Sequence, residues 1–162
     1  MDGQLVLSVI LSFFPFIELR LGLPVVIDYC LKNGLNILPY FSLVVIINIL
    51  VTLFVFFFMD FLHIHFMRIK YYQKFMDKYL EKIKIRGKKF DGKEGFWLYF
   101  ALALFVAIPL PGTGAWSGAV LVWLLGLNRK KSFISISLGV LIAGIIVLAL
   151  SFGMFGLLYK IF

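Results

Sequence analysis

The feature that most constrains this chain is a cluster of helix breakers set inside an apolar run. Residues 96–106 and 119–127 are almost wholly hydrophobic. They would join into one membrane-length segment but for Ala107 to Gly118, which reads A-I-P-L-P-G-T-G-A-W-S-G. Pro109 and Pro111 each lack a backbone donor and push the preceding residue out of helical geometry. Gly112 and Gly114 admit left-handed or tight turns and let other groups approach the backbone closely. In a bilayer no water satisfies the freed N–H and C=O groups, so broken backbone survives only where protein or a water-filled cavity covers it. The stretch therefore reads as the tip of a re-entrant hairpin at membrane depth, and as a functional site.

The bilayer as solvent follows from composition. The chain has 162 residues, of which 62% are hydrophobic, against about 45–50% in soluble domains. Mean hydropathy is +1.03. Several apolar runs approach the roughly 20 residues needed to span hydrocarbon. The expected class is an all-α integral membrane protein with four hydrophobic segments in one domain. Met1 to Gly3 carry no basic residue and no small-residue cleavage site follows residues 5–14, which argues against a secretory signal peptide. Cys30 is a single cysteine, so no intramolecular disulfide forms, and no metal-ligand spacing is present. Neither a metal nor a cofactor is expected.

Charge sets the topology. The net charge is +8, which a soluble nucleic-acid binder could also carry, but the hydropathy argues against nucleic acid as a partner. Ten of the sixteen Lys and Arg lie between Arg68 and Lys93, and three more are Arg129, Lys130 and Lys131. The asymmetry reads as positive-inside topology in a multi-pass protein of the cell membrane, with the basic linker cytoplasmic. If residues 96–127 crossed fully, Arg129 to Lys131 would lie outside. If they turn back at Ala107 to Gly118, the cluster returns to the cytoplasm.

The first half has the same order of features. An apolar arm at residues 5–14 meets Pro15 and the stretch Phe16 to Pro24; a second arm follows at 25–31, and a long span at 38–59 begins near Pro39 and ends at Asp60. The triplet Gly34-Leu35-Asn36 corresponds to Gly126-Leu127-Asn128, ahead of a final span over residues 132–158, where Gly139, Gly144, Gly153 and Gly156 are available for close helix contacts. The expected architecture is an inverted repeat of re-entrant helical hairpin plus transmembrane helix: repeat 1 over residues 1–60, a basic amphipathic cytoplasmic helix over 61–95, repeat 2 over 96–162. Secondary transporters use this plan, with the substrate site at the midplane where broken helices meet.

Candidate site residues follow from that plan. Glu18 and Arg20 are charges inside a hydrophobic segment, which costs about 2.5–3.5 kcal/mol each on insertion scales and marks function by default; a structural ion pair holding the tip is the plainer reading. Arg20 suits a phosphate or carboxylate, and Glu18 could carry a proton. In the second tip a helix starting near Ala115 would point free N–H groups into the cavity, with Thr113 as N-cap or ligand contact. Gly114-x-x-x-Gly118 is also a helix-packing motif. Trp116 stacks on a ligand or packs; Asn48 faces the cavity or bonds a neighbouring helix. His63 and His65 point to different faces. No nucleophile–base pair is present, so enzymatic activity is not expected.

These motifs carry a resemblance. P-x-x-E-x-R-x-G-x-P at Pro15 to Pro24, and I-P-L-P-G-T-G-A-W-S-G at Ile108 to Gly118, resemble the small multidrug export protein family, which looks related to the wider DedA (VTT, SNARE-associated) superfamily of inverted-repeat proteins with two re-entrant hairpins. The resemblance implies a substrate region at Glu18, Arg20 and Gly22 on the first tip, and at Pro109, Pro111, Gly112 and Gly114 on the second. It also implies an anionic lipid, such as a polyprenyl phosphate, as a substrate class. One departure is that DedA-like chains usually carry a further acidic residue and a further arginine in the second half, where this sequence has Thr113 and Trp116. The functional expectation is a small secondary transporter or flippase moving an anionic or amphipathic substrate, proton-coupled through Glu18, in contact with membrane lipids and able to form a homodimer. The alternative is a non-transporting lipid-binding or scaffold protein acting through its basic helix.

Overall fold

Among the described residues the chain forms six helices. The computed structural model describes residues 3–14, 17–70, 73–74 and 93–161. Helices α1 (Gly3–Phe13), α2 (Glu18–Asn33) and α3 (Ile37–Phe66) form the first half; α4 (Lys93–Ala107), α5 (Ala115–Leu125) and α6 (Arg129–Ile161) form the second. No strand occurs among the described residues. Most of the basic linker, Lys78 to Lys89 included, lies outside them.

Among the described residues two helices are long and apolar enough to cross a membrane, Ile37–Phe66 and Arg129–Met154. Their faces are sorted as a bilayer requires. On α3 the exposed stripe is Leu43, Ile46, Leu50, Leu53 and Phe57, while the buried stripe holds Val44, Asn48, Val51, Thr52 and Val55. On α6 Ile134, Leu138, Leu141 and Ile145 face out, while Ser132, Ser135, Ala143 and Ser151 are buried. Large apolar side chains outside and small or polar ones between helices is the arrangement of membrane bundles, where lipid is as apolar as leucine and close packing drives association. Gly139 and Gly144 behave as expected: a Cβ at Gly139 would lie 2.6 Å from the Ala103 carbonyl oxygen, and one at Gly144 would press on Phe41. Gly153 departs from expectation, with open space around it; the surroundings of Gly156 are outside the described residues.

The two Gly-Leu-Asn triplets build the same turn. Gly34 and Gly126 both adopt left-handed φ, at +63° and +62°. Leu35 N–H then donates to the Cys30 carbonyl at 2.9 Å and Leu127 N–H to the Val122 carbonyl at 3.1 Å, each reaching back five residues to close the helix. Asn36 Oδ1 accepts from Leu38 N–H, and Asn128 Oδ1 from Lys130 and Lys131 N–H, starting the next helix.

Two boundaries differ from expectation. The first break is short: α2 starts at Glu18, so Glu18, Arg20 and Pro24 lie on the helix and not in a loop. Pro24 falls in the second turn, where it removes the hydrogen bond to the Arg20 carbonyl and its ring crowds that carbonyl. Asp60 does not end α3, which runs on to Phe66.

The halves interlock. α1 lies along α2 and α4 along α6, while α5 packs on α3 and α2 on α6. One core draws Leu23 and Ile27 from α2, Val51 from α3, Val106 from α4, Ala119 from α5 and Ile136 from α6. α4 and α6 run side by side in the same direction: Tyr99 meets Asn128, and further along Ala103 and Val106 meet Gly139. α4 touches α5 little compared with α6.

Candidate functional site

The site is built from two helix starts, each capped by a side chain distant in sequence. α5 begins at Ala115, and its N-cap, Gly114, has no side chain to accept the orphan N–H groups. Glu18 supplies the acceptors from 97 and 98 residues away: Oε2 accepts from Ala115 N–H at 3.1 Å and Oε1 from Trp116 N–H at 2.9 Å. The carboxylate thus sits on the positive end of the α5 dipole. A Cβ at Gly114 would fall on this carboxylate, so the glycine is required by what lies opposite it. At the start of α2, Leu19 N–H donates to Asn48 Oδ1 at 3.2 Å, and Asn48 Nδ2 donates to the Val44 carbonyl. Glu18, 5% exposed, has φ of +46°, the one positive φ outside glycine among the described residues. Backbone strain of this kind, about 1–3 kcal/mol, persists where surrounding contacts over-determine it.

Arg20 binds the other side of the second tip. Its Nη2 donates to Thr113 Oγ1 at 2.7 Å and to the Ile108 carbonyl at 3.2 Å. The Thr113 hydroxyl proton is directed to the Ile108 or Leu110 carbonyl, at 2.6 and 2.9 Å. These are carbonyls that Pro109 and Pro111 help to free from helix geometry. Trp116 Nε1 donates back to the Phe13 carbonyl at the end of α1, at 2.9 Å. The Trp116 ring also packs edge-on against Phe13 and Phe54.

Next to this junction is a cavity of about 400 Å³. Glu18, Arg20, Gly112, Gly114 and Trp116 line it, together with Ser117 and the hydrophobic Phe105, Val120, Leu121 and Leu124. The walls are mostly apolar, with the two ionisable groups at one place, the usual make-up of a site for a small amphipathic molecule. Asn48 lies by a much smaller gap, about 10 Å³, behind Glu18 and against Val140 and Ala143. Gly22 is buried in α2, Pro109 is half-buried and Pro111 is exposed on the loop.

The pairing of the tips changes one expectation. The first two N–H groups of α5 are occupied by Glu18 and do not point freely into the cavity. Nor is Thr113 the N-cap; it is the hinge between Arg20 and the loop carbonyls.

A second cluster was not foreseen. Asp60 accepts from both Nη atoms of Arg129, each at 2.6 Å, and from Trp123 Nε1 at 3.1 Å. Arg129 also lies over the Phe56 ring, and His63 stacks edge-on with Trp123. This knot joins the end of α3, the end of α5 and the start of α6 at one level of the bundle. Asp28 pairs with Lys32 on α2 at 2.7 Å.

A family model matches residues 18–146, from the capping glutamate of the first tip well into the last helix. The chain belongs to the family described as "Putative small multi-drug export protein". No curated protein and no solved structure matches it. The matched region holds Glu18, Arg20, the second tip and the residues that line the cavity. Together with the two apolar spans, membership of this export family indicates a membrane location and a transport role.

Proposed function

We propose that this member of the small multi-drug export family is a multi-pass transporter that carries an anionic or amphipathic substrate through the cavity at the paired tips. The observation that carries the reading is the position of Glu18 and Arg20 in the wall of an apolar cavity of about 400 Å³, at the point where both broken segments meet. Intramembrane charges are costly and mark substrate or proton pathways. In this reading Glu18 is both clamp and proton carrier. Protonating its carboxyl weakens the caps on Ala115 and Trp116 and frees the second tip to move. The apolar wall takes the hydrophobic body of the substrate.

Both broken segments are re-entrant in this reading, and the halves form an inverted repeat. Its support is local. The first half of α4 and the end of α5 share a level, since Tyr99 Oη accepts from Asn128 N–H at 3.2 Å. Asp60, at the far end of α3, meets Arg129 there. That level is the cytoplasmic one by the positive-inside rule, and the cell membrane is the location inferred from it.

The test is transport in proteoliposomes, with an amphipathic dye carrying a carboxylate or phosphate and an imposed proton gradient. Wild type moves the dye with the gradient; Glu18→Gln, verified as folded by its elution profile and helical signal, loses gradient dependence, and Arg20→Ala loses uptake. Full activity in both folded variants would refute the mechanism.

A further inference from the structure

Away from the tips, a second and larger recess of about 570 Å³ lies between α4 and α6. Its walls repeat with helical spacing on both sides: Phe96, Tyr99 and Ala103 on α4 face Lys131, Ser135 and Leu138 on α6. The parallel course of the two helices makes this a straight groove about 10 Å long, seven residues at 1.5 Å each. It opens to the outside of the bundle, where Phe96 and Leu138 are exposed. Within a membrane that surface meets acyl chains.

Lys131 puts the charge of the groove at one end; Ser135, one turn further on, is buried. The Lys131 ammonium lies 5.9 Å from the centroid of the Tyr99 ring. The Tyr99 oxygen accepts from Asn128 N–H and so keeps its own proton to donate. Arg129 is committed to Asp60, whereas Lys131 lies along the groove wall. Trp97 is exposed at the same level, as expected of a residue at the membrane–water boundary. A cation and a hydroxyl donor at the interfacial end, with hydrocarbon walls below, form the complement of one anionic amphiphile.

We propose that the α4–α6 groove is a binding site for an anionic phospholipid. The phosphate is held by Lys131 and the Tyr99 hydroxyl, and one acyl chain lies along Ala103, Ile134 and Leu138. The site is separate from the tip cavity, and the proposal stands whether or not that cavity transports anything. Its occupant would lie against both α4 and α6.

Native mass spectrometry of the full chain, purified in mild detergent with equal phosphatidylglycerol and phosphatidylcholine, tests this. Wild type retains phosphatidylglycerol in preference. Lys131→Gln lowers that preference about fivefold, on the scale of one basic residue at an anionic surface. Lys130→Gln, whose residue does not line the groove, leaves it largely intact. Leu138→Trp, on the outward face, fills the groove and lowers retention of the lipid without altering the charge. Equal retention of the two lipids by wild type overturns the proposal. So does an unchanged preference in Lys131→Gln, or an equal loss in Lys130→Gln. A lipid-free dimer that Leu138→Trp dissociates would also overturn it, by making a second copy of the chain the occupant.

Discussion

The cap of α5 by Glu18 can be tested against its own partner. Glu18→Ala strands two N–H groups, on Ala115 and Trp116, that the carboxylate accepts at 3.1 and 2.9 Å. Each buried donor left unsatisfied costs about 1–3 kcal/mol. Water entering from the adjacent cavity offsets part of this, so the expected loss is about 2–4 kcal/mol. Glu18→Gln should cost less, about 1–2 kcal/mol, because the amide oxygen still accepts one N–H while its NH₂ faces the other. Gly114→Ala should resemble Glu18→Ala, for a reason that is not backbone strain. Gly114 has φ of −97°, open to any residue, but its new Cβ would occupy the place of the carboxylate. The two substitutions therefore remove one interaction, and the double variant should lose little more than either alone. Tryptophan fluorescence during SDS unfolding in mixed micelles reads all four proteins, through Trp116 beside the cap. Additive losses in the double variant, or a Glu18→Ala protein within about 0.5 kcal/mol of wild type, would refute the cap.

Asn48→Ala leaves Leu19 N–H without its acceptor and should cost about 1–3 kcal/mol in the same unfolding assay, with Asn48→Asp recovering part of it. Gly126→Ala forces a Cβ into φ of +62° and should cost about 1–2 kcal/mol, and Gly34→Ala, whose surroundings are open, should match it as a purely local effect. Asp60→Asn loosens a pair that is half exposed, so its effect should stay near 1 kcal/mol and shrink in high salt, read as a melting shift with and without added chloride. Arg20→Lys keeps the charge but loses the planar fork. It should hold the second tip through Thr113 or face the cavity, not both, and reduce transport of an anionic dye more than that of a neutral one.

The parts of this fold that were legible in the sequence are those set by local chemistry. Breakers at Pro109, Pro111 and Gly112 end α4; Gly34-Leu35-Asn36 and Gly126-Leu127-Asn128 close one helix and open the next; apolar length gives α3 and α6. Long-range partners were not legible. Nothing local marks Glu18 as the cap of α5, or Asp60 as the acceptor of Arg129 and Trp123, because those pairs are 97, 69 and 63 residues apart. Asp60 reads as the end of a span because a carboxylate belongs in water; its partners Arg129 and Trp123, and the run of α3 on to Phe66, are not legible there. Phe105, Val120 and Leu124 line the cavity but look like any other apolar helix residue.

These long-range partners change how an anion could be recognised. An empty helix start at Ala115 would be a general anion site, but a tethered carboxylate already occupies it, at an effective concentration that a dissolved anion at micromolar levels does not match. Recognition therefore shifts to Arg20. Its Nη2 is spent on Thr113 and Ile108, and of the five N–H donors of a guanidinium those on Nε and Nη1 remain for the cavity that Arg20 lines. In the proposed transport cycle the second tip would be a lock and not a ligand site, closed by Glu18 and held to Arg20 through Thr113. A substrate that exploits Arg20 would act on that contact, since both draw on the same guanidinium. Binding in the cavity and release of the tip would then be coupled through one side chain, without a second arginine in the second half.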